Sequence, residues 1–104
     1  MWYKNVCTYF DNGRIKTEDI YRESGLRKIE YYPSGKVDRV RDYYISEEDG
    51  CMYLSSDCYN WKNGNFKEER HYTAENEVVR QYGEDGTKLS EMRIFYDDFS
   101  NSDR

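Results

Sequence analysis

The segment Tyr9–Tyr21 reads YFDNGRIKTEDIY and carries the pattern that decides the fold. It places two aromatic residues before an Asn-Gly dipeptide, an isoleucine two residues after the glycine, and a tyrosine eight residues after it. Asn-Gly between apolar runs is a strong signal for a β-hairpin, because the turn needs a positive φ that glycine adopts at little cost. The segment therefore predicts two antiparallel strands joined by a turn at Gly13.

The same pattern recurs along the chain, which predicts a repeat architecture. Polar turn residues precede four glycines, at Gly13, Gly35, Gly64 and Gly86. The first two and the last two are 22 residues apart, and the middle interval of 29 residues is assigned to an insertion around 47–50. We expect one domain over 1–104. Its repeats are expected at about 8–29, 30–58, 59–80 and 81–97, with 98–104 as a frayed polar tail.

Further turn signals lie about midway between these glycines, at Gly25, Gly50 and Glu75-Asn76. The sequence therefore predicts an all-β fold: an open antiparallel β-meander of about eight strands, built from four hairpin repeats in a single twisted sheet. Helix is disfavoured, because turn signals recur too often, and only 73–81 offers a short helical alternative. The expected strands are 2–10, 14–22, 26–33, 36–46, 51–61, 66–73, 77–83 and 87–96.

The alternation of apolar and polar residues that a strand with one buried face would show is imperfect in 36–46. Val37, Tyr43 and Ile45 share one parity, whereas Val40 and Tyr44 take the other. Either β-bulges shift the register or both faces of the sheet carry apolar side chains. Both alternatives suit a single sheet better than a sandwich with one dry face.

The composition indicates a thin folded sheet with an acidic surface. Charged residues make up 36% of the chain, yet 17% of the residues are aromatic and 12 are tyrosines, which argues against disorder. A tyrosine ring buries apolar area while its hydroxyl stays hydrated, so it can replace leucine where the interior is thin. The net charge of −5 opposes direct binding to nucleic acid or to anionic membranes and favours basic protein partners.

The reactive residues predict neither catalysis nor a cofactor. The single histidine, His71, has no signalled partner for a general base, a nucleophilic site or a metal site. Three cysteines, Cys7, Cys51 and Cys58, cannot all pair in one chain and predict reduced thiols without an assigned role. We find no signal-peptide pattern at the N-terminus and no stretch of transmembrane length. The expected location is the cytoplasm of a bacterium or of a host that a phage infects.

The unit Tyr9–Tyr21, followed by Ser24-Gly25 and then Tyr31–Val37, resembles the variant MORN-type repeat, and Trp61–Tyr72 is a second good copy. The resemblance covers about 8–96. It implies an open antiparallel meander that acts as a binding scaffold, and bacterial members of the family are often described as antitoxin components. The second copy has Val40 where the family favours glutamate, the last copy is shifted by one residue, and the usual Gly-x-Trp step is missing.

Three functional hypotheses follow. The first is a non-enzymatic inhibitor, of antitoxin or phage anti-defence type, that binds a protein effector through an aromatic sheet face. The second is an acidic mimic of nucleic acid that occupies the basic groove of a nuclease or CRISPR-type effector. The third is a structural module that assembles through its sheet edges, for example as a homodimer. The candidate interface residues are Trp2, Tyr32, Tyr44, Trp61, Glu47, Glu48 and Asp49.

Overall fold

The computed structural model describes residues 3–96 and contains eight β-strands in this part of the chain. The strands are β1 (Tyr3–Tyr9), β2 (Ile15–Arg22), β3 (Gly25–Tyr31), β4 (Val37–Ile45), β5 (Met52–Asn60), β6 (Phe66–Tyr72), β7 (Asn76–Tyr82) and β8 (Lys88–Phe95). Each predicted strand is confirmed to within two residues. The helical alternative at 73–81 is wrong, because β7 begins at Asn76. The expected tail at 98–104 lies outside the described residues.

The eight strands form one open antiparallel sheet in chain order, so every strand pairs with the strand that follows it. The described strands therefore form a single layer, and the molecule is 20 Å thick along its shortest axis. β1 and β8 are the two edges of the sheet, and each has one neighbour among residues 3–96. The predicted open β-meander is confirmed.

The four glycine turns share one backbone geometry. In the first, the Gly13 N–H donates to the Phe10 carbonyl at 2.9 Å and the Phe10 N–H donates to the Arg14 carbonyl at 2.8 Å, and the other three repeat both bonds. Only the glycine of each turn has a positive φ, between 86° and 98°. The geometry is therefore a type I turn followed by a glycine bulge. A register shift lies beside each of these turns, so the expected bulges are confirmed.

The glycine turns lie side by side along one end of the sheet, here called the turn end. Side chains of one turn donate to carbonyl groups of the next: Asn12 Nδ2 to Pro33 at 3.1 Å, Lys36 Nζ to Asn63 at 2.9 Å, and Asn63 Nδ2 to Glu84 at 2.7 Å. The longer middle interval is accommodated in the 46–51 loop, which lies at the opposite end, here called the loop end. The four glycine turns consequently remain aligned along one end of the sheet despite the insertion.

The pairing register sorts the strand side chains into two faces, because successive residues of a strand point to opposite sides. One face, here called the cysteine face, includes the row Cys7, Glu18, Ile29, Val40, Cys58, Glu69, Arg80 and Glu91. The other, here called the ion-pair face, includes the row Val6, Asp19, Lys28, Arg41, Asp57, Arg70, Val79 and Met92. Both faces carry apolar residues, as the alternation in 36–46 indicates.

Very little of the sheet is buried. Of the described residues, only Gly25, Asp57, Val78 and Val79 are buried, and no large side chain is fully enclosed. The buried carboxylate of Asp57 accepts two hydrogen bonds from the Arg39 guanidinium, at 2.9 and 2.8 Å, which compensates for its lost hydration. Hydrogen-bonded pairing and half-buried rings, rather than a thick interior, therefore hold the strands in place.

One side-chain contact links successive repeats on the cysteine face. The Tyr31 hydroxyl donates to Glu18 at 2.9 Å, and the Tyr82 hydroxyl donates to Glu69 in the equivalent position. Each glutamate is five residues after a turn glycine, and each tyrosine is four residues before the next one. In the second repeat both partners are replaced together, by Val40 and Asn60. Val40 therefore differs from the first and third repeats at a position where the tyrosine that would contact a glutamate is also absent.

Restoring this contact in the second repeat tests its contribution. We expect Val40→Glu alone to destabilise the fold, because it places a carboxylate between Ile29 and Cys58 without a donor. Adding Asn60→Tyr supplies the donor, so the double variant is expected to recover about 1 kcal/mol in a double-mutant cycle from urea unfolding. A coupling energy of zero would contradict the repeat contact.

A pH series tests the same contact in the first repeat. Burial, which is the larger cause, and the hydrogen bond to Glu18 together raise the pKa of Tyr31 from 10 to about 12. Since the folded chain holds this proton more tightly, the stabilisation is complete below pH 10 and is lost as the pH rises through about 12. We expect the urea midpoint of wild type to fall more steeply over this range than that of Tyr31→Phe. Parallel profiles would contradict the assignment.

Candidate functional site

A row of side chains crosses the loop end of the cysteine face from β1 to β5. The register aligns Tyr3, Arg22, Gly25, Tyr44 and Tyr53, one from each of five successive strands. Gly25 contributes no side chain, so the row dips between Arg22 and Tyr44. The rings of Tyr44 and Tyr53 contact each other with centroids 5.8 Å apart, and Tyr44 lines a groove at this end of the sheet.

The dip at Gly25 follows from how closely two strands approach. Gly25 is buried, and a Cβ atom added to it would collide with the backbone carbonyl oxygen of Tyr43 on β4. Only glycine therefore permits this pairing. The sequence prediction treated Gly25 as a return turn, whereas it is the first residue of β3 and pairs with Arg22 and Tyr44, which line the groove.

The groove has a volume of about 880 Å³ and presents aromatic rings together with both signs of charge. Tyr3, Tyr44 and Tyr53 keep 71%, 48% and 44% of their surface exposed. Aromatic residues at this exposure, beside charged groups, have the composition of a protein-binding surface. The lining residues are Tyr3, Arg22, Glu23, Ser24, Tyr44, Ile45, Ser46 and Glu47.

The predicted acidic residues of the 46–51 loop have different roles in the structure. Glu47 lines the groove beside Tyr44, so these two predicted site residues lie together. Glu48 is exposed, and its backbone N–H donates to Ser46 Oγ at 3.2 Å. Asp49 instead accepts the Tyr53 hydroxyl and the Cys51 N–H, and these bonds lower the pKa of the Asp49 carboxyl. Asp49 therefore fastens the loop to the start of β5.

The predicted anchors Tyr32 and Trp61 lie at the turn end, away from Tyr44. The Tyr32 hydroxyl donates to the Asn60 carbonyl, and Trp61 Nε1 donates to the Tyr82 carbonyl at 3.1 Å. Both rings are half-buried and connect one repeat to the next. The structure therefore does not bring these two residues into one surface with Tyr44. Trp2 lies outside the described residues.

Within residues 3–96, one set of three side chains could offer ligand atoms to a metal ion. The ligand atoms of Cys58, Glu69 and His71 lie within 4.8 Å of one another on the cysteine face. Their present contacts compete with such a role: Glu69 accepts the Tyr82 hydroxyl, and the Arg80 guanidinium lies 4.0 Å from the same carboxylate oxygen. Burial also raises the pKa of the Cys58 thiol, which disfavours the thiolate that binds metal. The groove at Gly25 is therefore the better candidate.

Fold and groove together define the class of this molecule: an open antiparallel meander of four hairpin repeats with an aromatic groove at one end. Comparisons with protein-family models, with curated proteins and with solved structures find no match to this chain. The resemblance to MORN-type repeats therefore stays a prediction. In the part of the chain that the structure describes, no helix has the length and apolarity needed to cross a bilayer.

Substitution at Gly25 tests the close approach of β3 to β4 beside the groove. We expect Gly25→Ala to destabilise the fold by about 1–3 kcal/mol, because the added methyl group must push β4 away. Gly83→Ala is a suitable control, since its nearest neighbours are side-chain atoms of Asp85 and Leu89 that can move aside. The free energy of unfolding in urea measures both effects. Equal effects in the two variants would contradict the assigned role of Gly25.

Proposed function

We propose that this protein is a non-enzymatic binding module that engages a protein partner through the groove between Tyr3 and Tyr44. The observation that carries the proposal is the pair of exposed tyrosine rings, Tyr3 and Tyr44, that line the groove together with charged side chains of both signs. Tyrosine supplies a large contact area and a polar hydroxyl with only two side-chain torsions to order, so it is a good interface anchor. The groove fits an exposed loop or terminal segment of a partner better than a flat surface.

The nature of the partner follows from the charges around the groove. Arg22 and Glu47 both line it, so it offers a guanidinium and a carboxylate within one recognition surface. A partner segment with an apolar or aromatic residue flanked by a basic residue would satisfy the ring walls and Glu47 together. We propose the setting that the resemblance implies: a cytoplasmic inhibitor that covers a toxin or a defence effector.

Mimicry of nucleic acid is the less favoured of the two inhibitory mechanisms. Most carboxylates on the strands are paired with a neighbouring base, as with Asp42 and Arg27 at 2.7 Å, Asp57 and Arg39 at 2.8 Å, and Glu91 and Arg80 at 2.9 Å. Paired carboxylates project a weaker field than a row of unpaired phosphates. This pairing supports contact through the aromatic groove rather than through a continuous acidic stripe.

Site-specific photo-crosslinking in native cells tests this proposal. A benzophenone side chain at position 44 is expected to capture one protein partner, whereas the same group at position 96 captures no protein other than a second copy of this chain. The control is matched because Tyr44 and Tyr96 are similarly exposed, at 48% and 44%. With the purified partner, Tyr3→Ala and Tyr44→Ala are each expected to weaken binding by about tenfold, and Tyr96→Ala to leave it unchanged.

Salt dependence separates the two inhibitory mechanisms. Raising the ionic strength from about 0.1 M to about 0.5 M shortens the Debye length from about 10 Å to less than about 5 Å. Binding through the tyrosines should weaken only slightly. A steep loss with salt, together with sensitivity to Glu47→Gln and Glu48→Gln but not to Tyr44→Ala, would favour mimicry instead. Capture of no partner at position 44 would contradict the proposal.

A further inference from the structure

The two edges of the sheet are complementary to each other. Tyr3, Val6 and Tyr9 of β1 are 71%, 42% and 61% exposed. On β8, Met92 and Phe95 are 55% and 69% exposed, and every residue of the strand is exposed. Long edges that present this much apolar surface are a template for another strand. We propose that β8 of one chain pairs with β1 of a second copy, which extends the meander from one molecule into the next. This inference is independent of the proposed groove function.

The register of this pairing follows from the repeats themselves. The same rule holds in the pairs β2–β3, β4–β5 and β6–β7. In each pair, the residue five places after one turn glycine lies opposite the residue six places before the next turn glycine. This holds for Glu18 with Ile29, for Val40 with Cys58 and for Glu69 with Arg80. Applied across two copies, the same rule places Glu91 of one chain opposite Cys7 of the other.

The side chains opposed in this register are compatible at each position. Met92 lies opposite Val6 on the ion-pair face, and Phe95 lies opposite Tyr3 on the cysteine face. The remaining opposed pairs are Ser90 with Thr8, Arg93 with Asn5, and Ile94 with Lys4. No pair opposes like charges, and two pairs join large exposed apolar side chains, which are the cross-strand contacts that stabilise sheets.

The contact that links successive repeats would also be completed. Glu91 stands five residues after its turn glycine, as Glu18 and Glu69 do, and Tyr9 stands four residues before its own, as Tyr31 and Tyr82 do. Within residues 3–96 the Tyr9 hydroxyl has no partner. Arg80 and Lys88 both donate to Oε1 of Glu91, at 2.9 Å each, so Oε2 remains available to Tyr9 of the second copy.

The backbone of β8 is also prepared for a further strand. The Tyr96 N–H donates inward, to the Glu75 carbonyl at 2.9 Å. Because the direction of the N–H groups alternates along a strand, those of Glu91, Arg93 and Phe95 point to the open side. In the β6–β7 pair, the Thr73 N–H donates to the Asn76 carbonyl. Because hydrogen-bonded pairs recur at every second residue, Glu69 and Arg80 are also a hydrogen-bonded pair. Glu91 and Cys7 of the second copy take the equivalent position.

The assembly is head-to-tail, because β8 of one copy meets β1 of the next and both molecules keep one open edge. Such a contact is heterologous and gives a linear series rather than a closed dimer. The six opposed pairs form a small interface, so we expect association at high protein concentration. Sedimentation velocity should show a weight-average mass that rises continuously as the concentration of wild-type chain is raised from micromolar to millimolar.

Two charge variants test which edges meet. Val6→Lys places an ammonium opposite Asp19 in its own sheet, and Met92 is 55% exposed on the edge strand, where a glutamate side chain can stay hydrated, so both variants are expected to fold. Each variant alone is expected to weaken association by about tenfold, because a charge then faces an apolar residue of the second copy. An equimolar mixture is expected to associate again, since the new lysine of one chain then meets the new glutamate of the other.

Each alternative gives a different result. A symmetric contact between two β8 edges predicts that Met92→Glu abolishes association while Val6→Lys has no effect, and that mixing restores nothing; this would overturn the proposal. A wild-type chain that stays monomeric at millimolar concentration would overturn it as well. Circular dichroism and thermal unfolding confirm that each variant is folded. Tyr44→Ala should leave association unchanged, so failure of the edge pairing is distinguishable from failure of the groove function.

Discussion

The structure depends on the register that four identical glycine turns impose on neighbouring strands. Each turn closes with the same two backbone hydrogen bonds and one glycine at positive φ, so every hairpin leaves its turn with the same offset. Side-chain bonds between adjacent turns keep the hairpins aligned across the sheet. A sheet with so few buried residues cannot rely on core packing to select its pairing, because a one-residue slip would exchange its two faces at little cost in apolar burial.

The candidate groove is a consequence of this register. Tyr3, Arg22, Gly25 and Tyr44 come from four strands and meet only because the offset is the same in each hairpin. At the loop end the glycine turns no longer constrain the chain, and the inserted residues of the middle repeat form the 46–51 loop beside the groove. The regular turn end therefore stabilises the sheet, whereas the irregular loop end of the same strands carries the candidate binding groove.

The strand order and boundaries could be predicted because glycine and its polar neighbours mark every turn in the sequence. The groove could not, since it depends on which residues of distant strands face each other. Gly25 resembles a turn residue, and only its close approach to the Tyr43 carbonyl shows why this strand position requires glycine. Likewise, Tyr32 and Trp61 resemble exposed anchors in the sequence, but their polar groups bond to backbone carbonyls of the next repeat. Tyr44, as an aromatic residue, and Glu47, as an acidic one, are both among the predicted interface residues, but nothing in the sequence indicates that they line the same groove.

The single-layer architecture also determines how the molecule loses its structure. Each strand touches only its two neighbours, so its free energy is close to a sum of local pairings, as in a one-dimensional array. Opening should begin at β1 and β8, which have one neighbour each, and move inward. Amide hydrogens would then exchange in a gradient, fastest at the margins and slowest around β4 and β5. Disruption of a strand in the middle of the sheet would leave two smaller sheets of three or four strands, each close to the minimum size that is stable in water.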